Sequence, residues 1–195
     1  MTTLVFFLEE RSAQAMLEGL LPRLFDDTSK IDFKFIVFEG KQDLEKQIEK
    51  RLRGWQLPNS VFVVLRDQDI GDCKPIKERL VQKCQNAGHP TALVRIACRE
   101  LESWYLGDLA AVELGLGLSG LRKLSVTKTY RTPDRLQLPY QVLRKLTNEQ
   151  YQRIAGSRAI GPKLSLTDNR SHSFKVFLAG LSRLVKVAQA SSVGQ

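Results

Sequence analysis

Histidine is almost missing from this chain: His89 and His172 are the only two among 195 residues, and neither stands in an H-E-x-x-H or comparable pattern. Chemistry centred on histidine is therefore not expected. Cysteine is also scarce. Cys73, Cys84 and Cys98 are odd in number and lack C-x-x-C spacing, which argues against a disulfide framework or structural zinc and predicts reduced, structural thiols. No apolar run exceeds the length of a strand, so no membrane span is predicted. The opening MTTLVFFLEE has neither a basic n-region nor an adequate apolar segment for an export signal, which predicts a cytoplasmic protein.

What is present fits a folded domain. Hydrophobic residues make up 43% and charged residues 26% of the chain, enough to bury a core and solvate its surface. The net charge of +9 is uneven. Residues 1–100 carry 16 basic and 15 acidic side chains, whereas residues 101–195 carry 14 and 6. A basic excess confined to one half points to a polyanion such as nucleic acid. A solvated basic surface, or one that meets an acidic protein, is the alternative reading.

The informative stretch is SVFVVLRDQDIGD, Ser60 to Asp72. Val61 to Leu65 lack polar alternation, as in a strand covered on both faces of a parallel α/β sheet. Residues two apart on a strand point the same way, so Asp67 and Asp69 are expected to aim both carboxylates at one place beyond its carboxyl end. Open α/β sheets bind ligands there. Two close carboxylates ionise together only at a cost unless a cation lies between them, and hard oxygen ligands select Mg²⁺, Mn²⁺ or Ca²⁺. An acidic turn serving solubility or helix capping is the plainer reading of a D-x-D alone.

The same pattern recurs along the first half. Thr3 to Leu8 is a strand running into Glu9 and Glu10, followed by Ser12 as an N-cap and a helical stripe of Ala13, Met16, Leu17, Leu20, Leu21 and Leu24, with Pro22 bending or ending the helix late. Asp32 to Phe38 alternates and reads as a strand near an edge, ending at Glu39 and Gly40. Leu44, Ile48, Leu52 and Trp55 form the inner stripe of the next helix. After the D-x-D strand, Pro75 opens a helix with Ile76, Leu80, Val81 and Cys84 inward, and Thr91 to Cys98 is a fourth strand reaching Glu100 and Glu102 before the helical pattern of Trp104, Tyr105 and Leu109. Four strands alternating with three helices predict a βαβαβαβ unit with a parallel sheet over residues 1–107. If the strands are parallel, all the strand-end acids gather at one edge. Lys41 is expected to meet a phosphate, and Glu39, Glu100 and Glu102 to complete a metal shell, with surface capping or salt bridging as the competing role for all four. Arg95, inside the fourth strand, needs a buried partner, for which a carboxylate of the cluster would serve.

In these segments the chain resembles the Toprim domain of topoisomerases, primases and overcoming-lysogenization-defect nucleases, through the order apolar strand, Glu9, helix, strand, helix, apolar strand, Asp67-Gln68-Asp69. More narrowly, LEERSAQAMLEGLLPRL, FEGKQDL, VLRDQDIGDC, RIACRELESWYLGD and GSRAIGPKLSLTDNRSHSF are similar to a bacterial family of Toprim-like proteins often encoded beside ATPases in defence loci. The resemblance implies a Rossmann-like sheet, a Mg²⁺ or Mn²⁺ site, a nucleic-acid substrate and an ATPase partner. It implies that Glu9 is a general acid or base or a metal ligand, and that Asp67 and Asp69 are the metal-binding pair. Toprim domains usually carry glycine after the first glutamate. Glu10 stands here instead, so either Glu9 or Glu10 can face the metal.

From Asp108 onward, residues 108–195 read as a mostly helical basic region packed on the α/β unit. GLGLSG, Gly115 to Gly120, matches G-x-G-x-x-G but follows a helical rather than a strand pattern, so no dinucleotide site is expected. GSRAIGPK has Pro162 where a P-loop has lysine. The segment reads as a flexible loop, or as one that presents backbone N–H groups with Arg158 and Lys163 to phosphate; Arg170 is a further phosphate or nucleic-acid candidate. Asp168 to Ser173 caps an amphipathic helix of Phe174, Phe177, Leu178, Leu181, Leu184 and Val185, with His172 in a capping or packing role, and ASSVGQ is expected to fray.

The expectation is thus a metal-dependent nuclease or related phosphodiester enzyme. One rival is a non-catalytic or toxin-like subunit that works by binding its ATPase. Another is phosphoryl transfer through an aspartyl-phosphate, for which haloacid-dehalogenase-type enzymes place D-x-D on their first strand, unlike here, and receiver domains would use Asp67.

Overall fold

A computed structural model describes residues 1–25 and 27–193. Strand β1 (Thr2–Leu8) leads to α1 (Arg11–Leu24), β2 (Ile31–Val37) to α2 (Lys41–Arg53), β3 (Ser60–Asp67) to α3 (Cys73–Asn86), and β4 (Leu93–Ala97) to the short α4 (Glu102–Leu106). The second half contributes α5 (Leu109–Leu116), α6 (Pro139–Leu146), α7 (Arg153–Ile160) and α8 (His172–Val193), joined by 3-10 turns. The four strands form one parallel sheet in the order β2-β1-β3-β4. The expected α/β class, with a parallel four-stranded sheet flanked by helices and a helical C-terminal region, is what the chain adopts. Among the described residues no helix is long and apolar enough to cross a membrane.

The sheet is buried on both faces because its inner strands carry unbroken apolar runs, Leu4 to Leu8 and Val61 to Leu65. Strand alternation divides them into two cores. Leu4, Phe6, Leu8, Val63 and Leu65 face α1 and the second half of the chain, whereas Val5, Phe7, Phe62 and Val64 face α2 and α3 through Leu44, Ile48, Leu52, Ile76, Leu80 and Cys84. A fully buried Phe or Leu contributes about 1.5–3 kcal/mol, so β1 alone is a large part of the driving force. The crossover from β1 to β2 runs on one face and those from β2 to β3 and β3 to β4 on the other. That is the right-handed solution, and it makes the chain leave β1 and β3 in opposite directions. The crevice opened between their carboxyl ends is where open α/β sheets bind ligands.

The second half shares the core of α1. Trp104, with ring centroids 5.2 and 5.0 Å from Phe174 and Phe177, joins Met16, Leu17, Leu143, Tyr151 and Ile160 in one apolar cluster with the sheet. Asp134 starts α8 by accepting from the Ser171 hydroxyl at 2.6 Å and from the Ser173 N–H at 2.8 Å. The inward stripe of α8 is as expected, while His172 is exposed. The helix continues to Val193; of the tail expected to fray, Gly194 and Gln195 lie outside the described residues.

Several local expectations are corrected. Ser12 is not the N-cap of α1; it lies inside the helix and its hydroxyl donates to Glu10, the residue in the cap position. GSRAIGPK is no flexible loop. It forms α7 and a 3-10 turn, and its glycines permit close packing: a Cβ on Gly161 would stand 2.5 Å from the Met16 carbonyl oxygen, and one on Gly156 would enter the Tyr151 ring. GLGLSG is the end of α5, with Gly117 at φ +65° in the left-handed C-cap. The helical pattern after β4 breaks into α4 and α5 at Gly107, where Asn169 and Ser171 press against the backbone and Asp108 caps α5 through the Ala111 N–H. Among the described residues Arg95 has no carboxylate partner: its guanidinium donates to the carbonyls of Val94 and Val176 across the sheet edge, against Gly180 of α8. A charge on an edge strand keeps that edge from pairing further.

Candidate active site

The carboxyl ends of β1 and β3 are locked together by backbone and side chain. The Glu9 N–H donates to the Leu65 carbonyl at 3.4 Å, and the Asp67 N–H donates to Glu9 Oε2 at 3.1 Å. The Glu9 carboxylate is thus held over the end of β3, in the crevice. Arg66, only 6% exposed despite its charge, lies 3.8 Å from the same oxygen and pairs with Glu45 of α2, which also meets Arg79 of α3. This ladder fixes Glu9 from the α2–α3 side.

Glu10 turns the other way, to Arg153 of α7. Arg153 Nη1 donates to Glu10 Oε2 at 2.8 Å and its guanidinium lies over the Tyr140 ring, 4.4 Å from the centroid. Glu102, wholly buried at the start of α4, accepts from the Tyr151 hydroxyl at 2.9 Å through Oε1, while Oε2 has no hydrogen-bond partner among the described residues. Tyr151 and Tyr105 meet at Ser157, whose hydroxyl accepts from Tyr105 at 2.7 Å.

Electrostatics show which of these groups feel one another. Burial raises the Asp67 carboxyl well above the ordinary aspartate range, and the charges of Glu102, Glu10 and Glu9 raise it further. Burial pushes Glu102 up to about 7, against the pull of Arg153 and with repulsion from Glu10. Glu9 is raised as well, by burial and then by Asp69 and Glu10, with the Asp67 N–H and Arg66 pulling it back. For Arg153, burial acts to lower the pKa, but the charges of Glu102, Glu10 and Asp67 outweigh it and raise the value overall. The charges of Glu9, Glu10 and Glu102 thus act together on Asp67 at the crevice, the condition a bound cation relieves.

The D-x-D geometry differs from its expected form. Strand β3 ends at Asp67, and Asp69 takes a left-handed backbone at φ +57°, a conformation that aspartate tolerates better than most residues. Its N–H donates to the Arg99 carbonyl at 2.7 Å, and its carboxylate is 2.7 Å from Lys41 Nζ. Asp69 is thus turned toward the α2 end of the site, and Glu102, Glu10 and Glu9 are the acids whose charges reach Asp67. Lys41 meets a carboxylate here. Glu100 and Glu39 act locally: Glu100 caps α6 by accepting the Tyr140 N–H at 2.7 Å, and exposed Glu39 offers its N–H to Asp43 at 3.1 Å.

The basic candidates do not gather. Arg158 lies on the exposed side of α7 with Arg11 nearby, Lys163 is exposed on the following turn, and Arg170 borders a separate hollow with Arg122, Asp108 and Asp168. Two residues central to the site, Arg66 and Arg153, were not anticipated. A charge closing an apolar strand was a legible signal for Arg66. Nothing in the local pattern marks Arg153 or Tyr151, whose role comes from the docking of α7 on α1.

The donor set fits a hard divalent cation in chemistry, since it is all carboxylate oxygen and includes the unpartnered, buried Glu102 Oε2. As the side chains are placed, no three His, Cys, Asp or Glu among the described residues stand close enough to close a metal shell.

Fold and crevice define a parallel-sheet α/β protein of the Rossmann-like class with an acidic centre at its topological switch point. Over residues 8–182 the chain matches the family described as Domain of unknown function (DUF4276), to which it belongs. No curated protein and no solved structure matches it.

Proposed function

We propose that this protein is a Toprim-type, Mg²⁺- or Mn²⁺-dependent phosphodiester-cleaving enzyme acting on nucleic acid in the cytoplasm. The observation that carries the reading is the convergence of Glu9, Glu10, Asp67 and Glu102 on one crevice, with Asp67 and Glu102 held above their ordinary pKa and one Glu102 oxygen unpartnered. Asp67, Glu10 and Glu102 would hold the ion. A bound divalent cation supplies charge neutralisation and a water of lowered pKa. Glu9, fixed by the Asp67 N–H and Arg66, is oriented to take or give a proton. Lys41 and Arg153 sit on either side of the acids and can turn from Asp69 and Glu10 to phosphate oxygens. The resemblance to ATPase-associated Toprim-like proteins of defence loci supplies the proposed ATPase partner.

The reading is tested by incubating mixed single- and double-stranded DNA and RNA with Mg²⁺ or Mn²⁺, with and without the neighbouring ATPase, and comparing wild type with Asp67→Asn. Cleavage that survives the substitution rejects it. One observation favours a non-catalytic subunit that binds its ATPase instead: Glu9, Glu10, Asp69 and Glu102 each already have a protein partner. Absence of Mn²⁺ binding by the purified protein would select that reading.

A further inference from the structure

Beside the acidic crevice runs a groove that the proposed chemistry does not use. It has a volume of about 410 Å³ and lies between α1 (Arg11, Gln14), β2 (Phe35, Val37) and α7 (Ile154, Arg158), within the roughly 300–1,000 Å³ typical of small-ligand sites. Its position follows from the topology. β2 is an edge strand, so α1 and α7 cover its face only in part, leaving Phe35 and Val37 half-buried. Val37 is in register with Leu8, and Arg153, next to Ile154, holds Glu10. The groove therefore opens on the Glu10 side of the crevice.

The lining has a particular chemistry. Phe35 stacks on Phe6 at 5.4 Å and 26°, which fixes the ring while part of it borders the groove. Ile154 is 42% exposed, unusual for isoleucine on a packed helix. Arg11 and Arg158 are exposed, and neither is ion-paired among the described residues. Glu18, whose carboxylate accepts from Gln14 at 2.8 Å, is the acid of the lining. A fixed aromatic ring, two apolar side chains and two unpaired guanidinium groups match a nucleotide: the base against Phe35 and Ile154, the phosphates along Arg11 and Arg158.

We propose that this groove receives an unpaired nucleic-acid strand and leads it toward Glu10 and Asp67. The direction of the strand rests on the acidic-centre reading; its binding does not. A duplex is disfavoured because its bases are stacked away from Phe35, and a groove of this size admits a single nucleotide's width.

The test is fluorescence anisotropy in EDTA, so that binding is read without cleavage, using a short labelled single strand and the duplex of the same sequence. The single strand is expected to bind at least about tenfold more tightly than the duplex. Arg158→Glu and Arg11→Glu should each weaken it about tenfold and reduce its salt dependence. Phe35→Leu, which keeps an apolar side chain against Phe6 and whose folding is checked by its melting temperature, should weaken it several-fold. Equal affinity for duplex, affinity unmoved by these substitutions, or no binding of the single strand overturns the proposal. The acidic centre is read separately, by Mn²⁺ calorimetry on wild type and Asp67→Asn. Failure there removes the proposed chemistry and leaves the groove result standing.

Discussion

The carboxylate of Glu9 accepts the backbone N–H of Asp67 at 3.1 Å, joining residues 58 positions apart in the chain. With the Glu9 N–H on the Leu65 carbonyl, that bond ties the ends of β1 and β3 at the crevice and makes Glu9 both a structural tie and the best-oriented acid of the site. Glu9→Gln keeps an oxygen to accept the bond and removes the charge. Because folding raises the Glu9 pKa, the charge is disfavoured in the folded state. Stability is expected to hold or rise slightly in urea titrations. Under the proposed phosphodiester chemistry, with Glu9 as its acid or base, cleavage activity is expected to fall by about 10²–10⁴-fold. A variant as active as wild type would leave Glu9 only its structural role.

Glu102 sets a pH dependence in the metal-free protein. Its carboxyl rises from an ordinary value of 4.5 to about 7 on folding. Between those values the folded state retains a proton that the unfolded state has released, so stability falls as pH rises. The loss begins near pH 4.5, is complete above about pH 7, and amounts to about 3 kcal/mol at 1.36 kcal/mol per unit. Urea unfolding in EDTA across this window should show the decline, and Glu102→Gln should flatten it. At pH 8, Mg²⁺ should raise the melting temperature of the wild type, and much less that of Asp67→Asn.

Arg66 is the charge on which the sheet's acidic end depends. It is buried and pairs with Glu45 while lying near Glu9. Arg66→Met keeps the aliphatic volume but leaves Glu9 without its nearest cation. A loss of about 3–5 kcal/mol is expected in equilibrium unfolding, and it should shrink in a double variant that also carries Glu45→Leu.

Gly161 is required by packing. The site of its missing Cβ is 2.5 Å from the Met16 carbonyl oxygen, a backbone atom that cannot move without shifting α1. Gly161→Ala is expected to cost about 1–3 kcal/mol. Because α1 begins just after Glu10, the substitution should also loosen the Glu10–Arg153 pair, seen as faster hydrogen exchange at the start of α1.

Much of this protein was legible in the chain itself. The uninterrupted apolar runs at Leu4–Leu8 and Val61–Leu65 could be buried only on both sides, which requires a parallel sheet with helices on each face, and the acids after them had to share its carboxyl edge. The stripe from Phe174 to Val185 marked the helix that covers it. Such features depend on residues close in sequence, where period and burial are coupled directly. Which acids meet was decided elsewhere. Asp69 leaves Asp67 because the chain turns left-handed to reach the Arg99 carbonyl, and Arg153, Tyr151 and Glu102 enter the site because α7 and α4 dock through Gly161, Gly156 and Trp104. Contacts between segments a hundred residues apart leave no local periodicity, so the chain determined where a site could form and the packing of its helices determined which side chains compose it.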